Sequence, residues 1–203
     1  HLQRRRQRQM CIRDSYLVVT HKNLLNSARA YAAYRAADYD TLVVDIEELY
    51  HQFGGGIFKN SISLKRFLNL TMDQWPKWPS HLFLIGKSVK PAPESYEPGS
   101  RKDTTSYALN LVPTWGMPGS DNHYSTDIYS GSRYYLIPTG RLSASSNLEV
   151  TNYLQKMTEI EDNQDPTSLY SIANKEWQKN VLHFGGGSDS AEQAYINLSL
   201  IHI

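Results

Sequence analysis

The chain predicts an α/β fold, a three-layer, mostly parallel sheet with helices on both faces. Short apolar, β-branched runs alternate along the sequence with longer segments of helical periodicity. The runs are continuously apolar rather than alternating, as expected of strands buried on both faces.

Tyr16-Leu17-Val18-Val19-Thr20 reads as the first strand. A helix follows over 23–37, with Leu24, Ala28, Tyr31 and Ala32 on one stripe. Thr41-Leu42-Val43-Val44-Asp45 is a second buried strand, and 46–53 a short helix. Gly54-Gly55-Gly56 then reads as a turn or hinge. Ser61 opens a helix in which Leu64, Phe67, Leu68 and Thr71 recur at i, i+3, i+4 and i+7. His81-Leu82-Phe83-Leu84-Ile85 is the third strand. Residues 87–133 form an irregular insertion rich in Pro, Gly, Ser and Tyr, a length that within a compact domain is usually functional or carries small elements of its own. Tyr134-Tyr135-Leu136-Ile137 restores a strand signal. Ser146 to Glu149 fits a capping box, opening a helix with Val150, Tyr153, Leu154 and Met157 on its apolar face. A polar connection over 163–173 leads to a last strand, Val181-Leu182-His183-Phe184. That strand runs into Gly185-Gly186-Gly187-Ser188-Asp189 and a helix starting at Ala191. Strand order stays open, and no internal repeat is visible.

The two ends of the chain are expected to be non-native. Met10-Cys11-Ile12-Arg13-Asp14 back-translates to a DNA string whose reverse complement, in a shifted frame, encodes Leu198-Ser199-Leu200-Ile201-His202-Ile203. The string resembles a transposon adaptor of sequencing libraries, so 1–15 and 198–203 are set aside from fold reasoning. This changes the charge balance. The 203 residues carry 21 basic and 20 acidic side chains, net +1, but Arg4, Arg5, Arg6, Arg8, Arg13 and Asp14 lie in the leader. Residues 16–197 therefore hold 16 basic and 19 acidic groups, net −3, and an opening arginine run gives no support for nucleic-acid binding. Cys11 is the single cysteine, so 16–197 contains no disulfide or thiolate zinc site. No apolar run approaches the roughly 18 residues a membrane span needs.

Several features have the chemistry for a site. Gly185-Gly186-Gly187, between a strand and a helix, could present backbone amides to an anion. It matches neither G-x-x-x-x-G-K-[ST] nor G-x-G-x-x-G, and a tight turn explains it equally well. A loop there lies at the carboxyl ends of parallel strands, where ligands bind. Asp45 ends a strand as a phosphate-accepting aspartate does, but the acidic pair and lysine of receiver domains are absent. His21, His51, His81, His123 and His183 show no metal-ligand spacing, and His183 reads as a core residue. No Gly-x-Ser-x-Gly elbow occurs, and Lys87-Ser88 lacks a marked base. On spacing alone the chain is an α/β domain with one unusual insertion.

Four groups of residues, in order, carry a resemblance. They are Tyr16 to His21; Leu82-Phe83-Leu84-Ile85-Gly86 with Val112-Pro113-Thr114; Gly119-Ser120-Asp121-Asn122 and Tyr124 with Gly140-Arg141-Leu142-Ser143-Ala144; and Glu149 to Leu154 with Lys156, Glu161 and Trp177. Together they resemble the first half of the gingipain family of cysteine peptidases, especially members like the sortase of the type IX secretion system. The resemblance implies a catalytic unit of two α/β subdomains, the first Rossmann-like and the second caspase-like. On that reading 16–175 is the first subdomain, containing the 87–133 insertion, and 176–197 begins the second.

The family's catalytic His, in a Gly-His-Gly turn, and its catalytic Cys come later in the chain and have no matching positions here. The chain itself is thus expected to be inactive, with no catalytic residue assigned. Its parent is expected to cleave or process polypeptide at a bacterial cell envelope or outside the cell, partnered by the rest of its own catalytic domain. Substrate-pocket candidates by resemblance are Gly185, Gly186, Gly187, Asp189 and Glu192. No cofactor is expected, although the family's structural calcium draws notice to Asp121 and Asp127. The alternative is a non-catalytic α/β module that binds a ligand or partner.

Overall fold

A computed structural model describes residues 15–89, 104–116, 118–126, 134–164, 180 and 189–194. Four strands form its sheet: β1 (Ser15–Thr20), β2 (Asp40–Asp45), β3 (His81–Ile85) and β4 (Thr139–Leu142). All pairings are parallel, in the order β2-β1-β3-β4. The α/β class expected from the alternation is the class observed.

Helices cover both faces. A 3-10 turn, Lys22–Leu24, leads into α1 (Leu25–Arg35). Two helices, α2 (Ile46–Phe53) and α3 (Ser61–Gln74), separate β2 from β3. A short α4 (Thr104–Leu109) and a 3-10 helix (Asp121–Ser125) lie within the insertion, and α5 (Asn147–Gln164) follows β4. Side chains alternate across a strand, so each central strand feeds two cores. Leu17, Val19, Leu82 and Leu84 pack with Ile46, Leu49 and Tyr50 of α2, Leu64 and Leu68 of α3, and Val112, Tyr124 and Ile137. Val18, Phe83 and Ile85 point the other way, onto Leu24, Ala28, Tyr31 and Ala32 beside α1 and Val150 of α5.

Local sequence explains the boundaries. Asp45 caps α2, its Oδ1 accepting the Glu47 N–H at 3.0 Å, and Asn60 caps α3 through the Ile62 N–H at 3.1 Å. Gly54 ends α2, and Gly55 and Gly56 take positive φ of 62° and 77° with open space around them, so this glycine triplet is a turn. At α5 the capping box closes one residue early. The Glu149 N–H donates to Ser146 Oγ at 3.4 Å, but the carboxylate accepts from Ser145 N at 2.7 Å. That backbone bond, first among the causes, holds the Glu149 carboxyl below its usual pKa.

Two elements differ from the sequence reading. Tyr134 to Ile137 is not a strand: Tyr134 is 78% exposed and only Leu136 and Ile137 reach the core. Pairing starts after Pro138, which has no N–H to donate but whose carbonyl accepts from Leu82 N at 2.9 Å. β2 is half-buried along its whole length, not fully buried, because it is an edge of the described sheet. The expected strand 181–184 lies outside the described residues.

The chain divides into two compact units, His1–Lys156 and Met157–Ile203. The first contains the sheet. Of the second, the described part is the end of α5, Asn180 and a helical turn at 190–194. No described helix is long and apolar enough to cross a membrane.

Candidate functional site

The carboxyl ends of parallel strands, at the point where strand order reverses, are the usual ligand crevice of open α/β sheets. Here that point lies between β1 and β3. Thr20 closes β1 by donating its hydroxyl to the Ile85 carbonyl of β3 at 2.9 Å. His21 follows and is almost completely buried. Its Nδ1 accepts the Asn23 N–H at 3.2 Å, starting the 3-10 turn, and its Nε2 lies 3.1 Å from Glu47 at the start of α2. Lys22 Nζ reaches the other Glu47 oxygen at 3.0 Å. A neutral imidazole with its proton on Nε2 satisfies both contacts of His21. Burial lowers its pKa below 6.5, outweighing the charges of Glu47 and Asp45, which raise it; Lys22 lowers it further.

Below pH 6.5 the unfolded chain binds a proton that the folded His21 resists, so this contribution to stability is lost as pH falls through the folded value. His21→Asn keeps a side-chain acceptor for the turn but removes the titration. Urea melts at about pH 7 and about pH 5.5 should therefore show a smaller acid loss in His21→Asn than in wild type. Equal losses would assign the acid sensitivity to other groups.

The end of β3 is joined to the insertion. Gly86 has φ 150°, and a Cβ there would lie 2.8 Å from Val112 Cγ2. Gly86 N donates to Leu142 O at 2.9 Å and Lys87 N to Ala144 O at 2.8 Å. The Lys87 carbonyl in turn accepts from the amides of Leu111 and Val112.

Arg141 of β4 is the centre of this region. It pairs in register with Leu84 and shares its face of the sheet, where an arginine side chain would be costly without partners. Nε and Nη2 bind both Asp121 oxygens, at 2.6 and 2.8 Å. Nη1 donates to the carbonyls of Gly86 (2.7 Å) and Val112 (2.8 Å), and Nη2 to that of Pro113 (3.1 Å). Five contacts match the five N–H donors of a guanidinium. Thr114 Oγ1 donates to Asp121 Oδ1 at 3.0 Å, and Tyr124 OH to Pro113 O at 2.7 Å. Burial pushes the Tyr124 pKa up, so it remains a donor at any physiological pH.

Gly86, Val112-Pro113-Thr114, Gly119-Ser120-Asp121 and Gly140-Arg141-Leu142 are scattered in the sequence. In the fold most of them meet at one guanidinium. Gly119 belongs to the same packing: a Cβ there would lie 2.7 Å from Thr114 Cγ2.

The other site expectations fall differently. Gly185, Gly186 and Gly187 lie outside the described residues. Asp189 and Glu192 come together on one turn, where Asp189 Oδ1 accepts the N–H groups of Ala191 and Glu192, both at 2.9 Å. In this position Asp189 acts as an N-cap. Asp121 does not fit a calcium ion, because both of its oxygens bind Arg141 and one also takes the Thr114 hydroxyl. No group of three or more His, Cys, Asp or Glu among the described residues could hold a metal. Asp127 lies outside the described residues.

Sequence reasoning missed Lys65, a 2%-exposed lysine on α3. It follows Leu64 and precedes Phe67 and Leu68, and a charge at that place in an apolar stripe was its only signal.

No curated protein and no solved structure matches the chain. A family model, Peptidase family C25, matches residues 13–201. That match covers nearly the whole sequence, and the chain belongs to peptidase family C25, the gingipain family of cysteine peptidases.

Proposed function

We propose that this chain is the first part of the catalytic region of a gingipain-like cysteine endopeptidase acting at or beyond the bacterial cell envelope. The observation that carries the reading is the family match over 13–201. The chemistry expected of the parent is thiolate attack on a peptide carbonyl, with an imidazole as base and backbone amides holding the oxyanion. The sequence contains no Gly-His-Gly turn, and its one cysteine is Cys11. By resemblance to the family, the catalytic His and Cys belong to a second, caspase-like subdomain that begins at 176. Gly185, Gly186, Gly187, Asp189 and Glu192 are the substrate-pocket residues on this reading. Sortase-type processing linked to type IX secretion is the narrower form of the reading.

The test is to extend the reading frame downstream in the source DNA and compare both products on a denatured protein substrate. The chain alone should release no peptides. The extended protein should do so, and thiol alkylation or replacement of the new cysteine should abolish the activity. An intact continuation lacking both the Gly-His-Gly turn and a strand-end Cys, and showing no hydrolysis, would instead establish a non-catalytic binding module.

A further inference from the structure

Lys65 projects from α3 into a cluster of oxygens at the carboxyl end of the Asp121–Ser125 3-10 helix. Its three N–H groups face four acceptors, the carbonyls of His123 (2.6 Å), Tyr124 (3.3 Å) and Thr126 and the Thr126 Oγ1 at 2.7 Å, with the long Tyr124 contact sharing a donor. Lysine is almost never fully buried without such partners. Main-chain carbonyls and a hydroxyl converging on one point form the hard-oxygen ligand set that binds metal cations. The last carbonyls of a helical turn add the negative end of their dipoles. One turn along α3, on the same face, Asn69 is also buried with its side-chain oxygen unpartnered.

We propose that the 121–126 oxygens form a cation site whose occupant is the Lys65 ammonium, a tethered cation that holds this segment to α3 in place of a metal ion. Arg141 has the corresponding role at the start of the 3-10 helix, gathering the carbonyls of Gly86, Val112 and Pro113 and the Asp121 carboxylate. Two side-chain cations thus order a segment with little regular structure of its own. Two consequences follow. The 121–126 oxygens need no added metal, and shortening Lys65 opens a cavity with room for a small ammonium ion.

Melting the 203-residue chain tests both. Thr126→Val should leave any difference in melting temperature between excess EGTA and millimolar calcium unchanged. Lys65→Ala should melt lower, and ethylammonium chloride should recover part of the loss. Tetramethylammonium chloride at the same ionic strength should not, because it has no N–H to donate. A calcium-dependent rise in the wild-type melting temperature that Thr126→Val abolishes would overturn the proposal. So would Lys65→Met melting with wild type, or equal recovery of Lys65→Ala by both ammonium salts. If Lys65→Ala does not fold alone, its recovery of a cooperative melt in ethylammonium, but not in tetramethylammonium, is the supporting result. Failure in both salts overturns it.

Discussion

Replacing Arg141 with Met should destabilise the chain by about 3–5 kcal/mol, read from urea unfolding, because it breaks a buried ion pair by removing one partner. The guanidinium side chain is 12% exposed and its Asp121 partner 21%, so neither is strongly screened by water. Methionine keeps most of the aliphatic bulk, which confines the loss to polar terms. Four acceptors lose the Arg141 donors at once: the carbonyls of Gly86 and Val112, the Pro113 carbonyl, which keeps only the Tyr124 hydroxyl, and the Asp121 carboxylate, which keeps only the Thr114 hydroxyl. Each buried acceptor left unpaired costs about 1–3 kcal/mol before relaxation. Arg141→Lys should recover little, since a single ammonium cannot span the fork between Asp121 and three carbonyls. A Met variant as stable as wild type would mean that the region is held by its apolar contacts alone.

Leu84→Ala should cost about 2–5 kcal/mol, the range for emptying a close-packed core position. Leu84 is fully buried on β3, with Val19 of β1 and Arg141 of β4 in register on its two sides. The matched control is Leu42→Ala. Leu42 packs against the same core, but it sits on edge strand β2 and is half-buried. Its removal should cost clearly less, because water already reaches the site and the surroundings can relax. Equal losses at both positions would contradict the order β2-β1-β3-β4. The two substitutions therefore test the sheet topology as well as the size of one cavity.

The parts of the fold legible in the sequence are those whose signal is local. β1 and β3 are buried on both faces, so their residues form unbroken apolar runs. Leu24, which precedes α1, and Ala28, Tyr31 and Ala32 within it recur at helical spacing, and all four are buried. β4 was not legible in this way. Its sequence, Thr-Gly-Arg-Leu, combines a strand-weakening glycine with a charge, and the β-branched and aromatic signal lay just upstream at Tyr134 to Ile137. The glycine is tolerated because Phe83 packs against that position, where a Cβ would meet the ring at 3.4 Å. The arginine is tolerated because Asp121, twenty residues earlier, turns back to meet it. Neither compensation is visible within a short window of sequence. Lys65 was hidden for the same reason, since its acceptors are carbonyls, which every residue has.

The candidate site divides along the same line. The resemblance picked out Gly86, Val112 to Thr114, Asp121 and Arg141 as a set without giving the reason they occur together. Their geometry supplies one: they are parts of a single clasp that fastens the insertion to the end of β3 and β4. None of them is placed to act as a nucleophile. What they do in the fold is hold the insertion against the carboxyl end of the sheet.

The most direct measurement of that claim is a double-mutant cycle between Arg141→Met and Asp121→Ala, with stability read by urea unfolding. If the clasp holds the signature residues together, the double variant should lose less than the two single losses added, with a coupling of about 2 kcal/mol or more. Losses that add to within about 0.5 kcal/mol would show two independent residues and contradict the clasp.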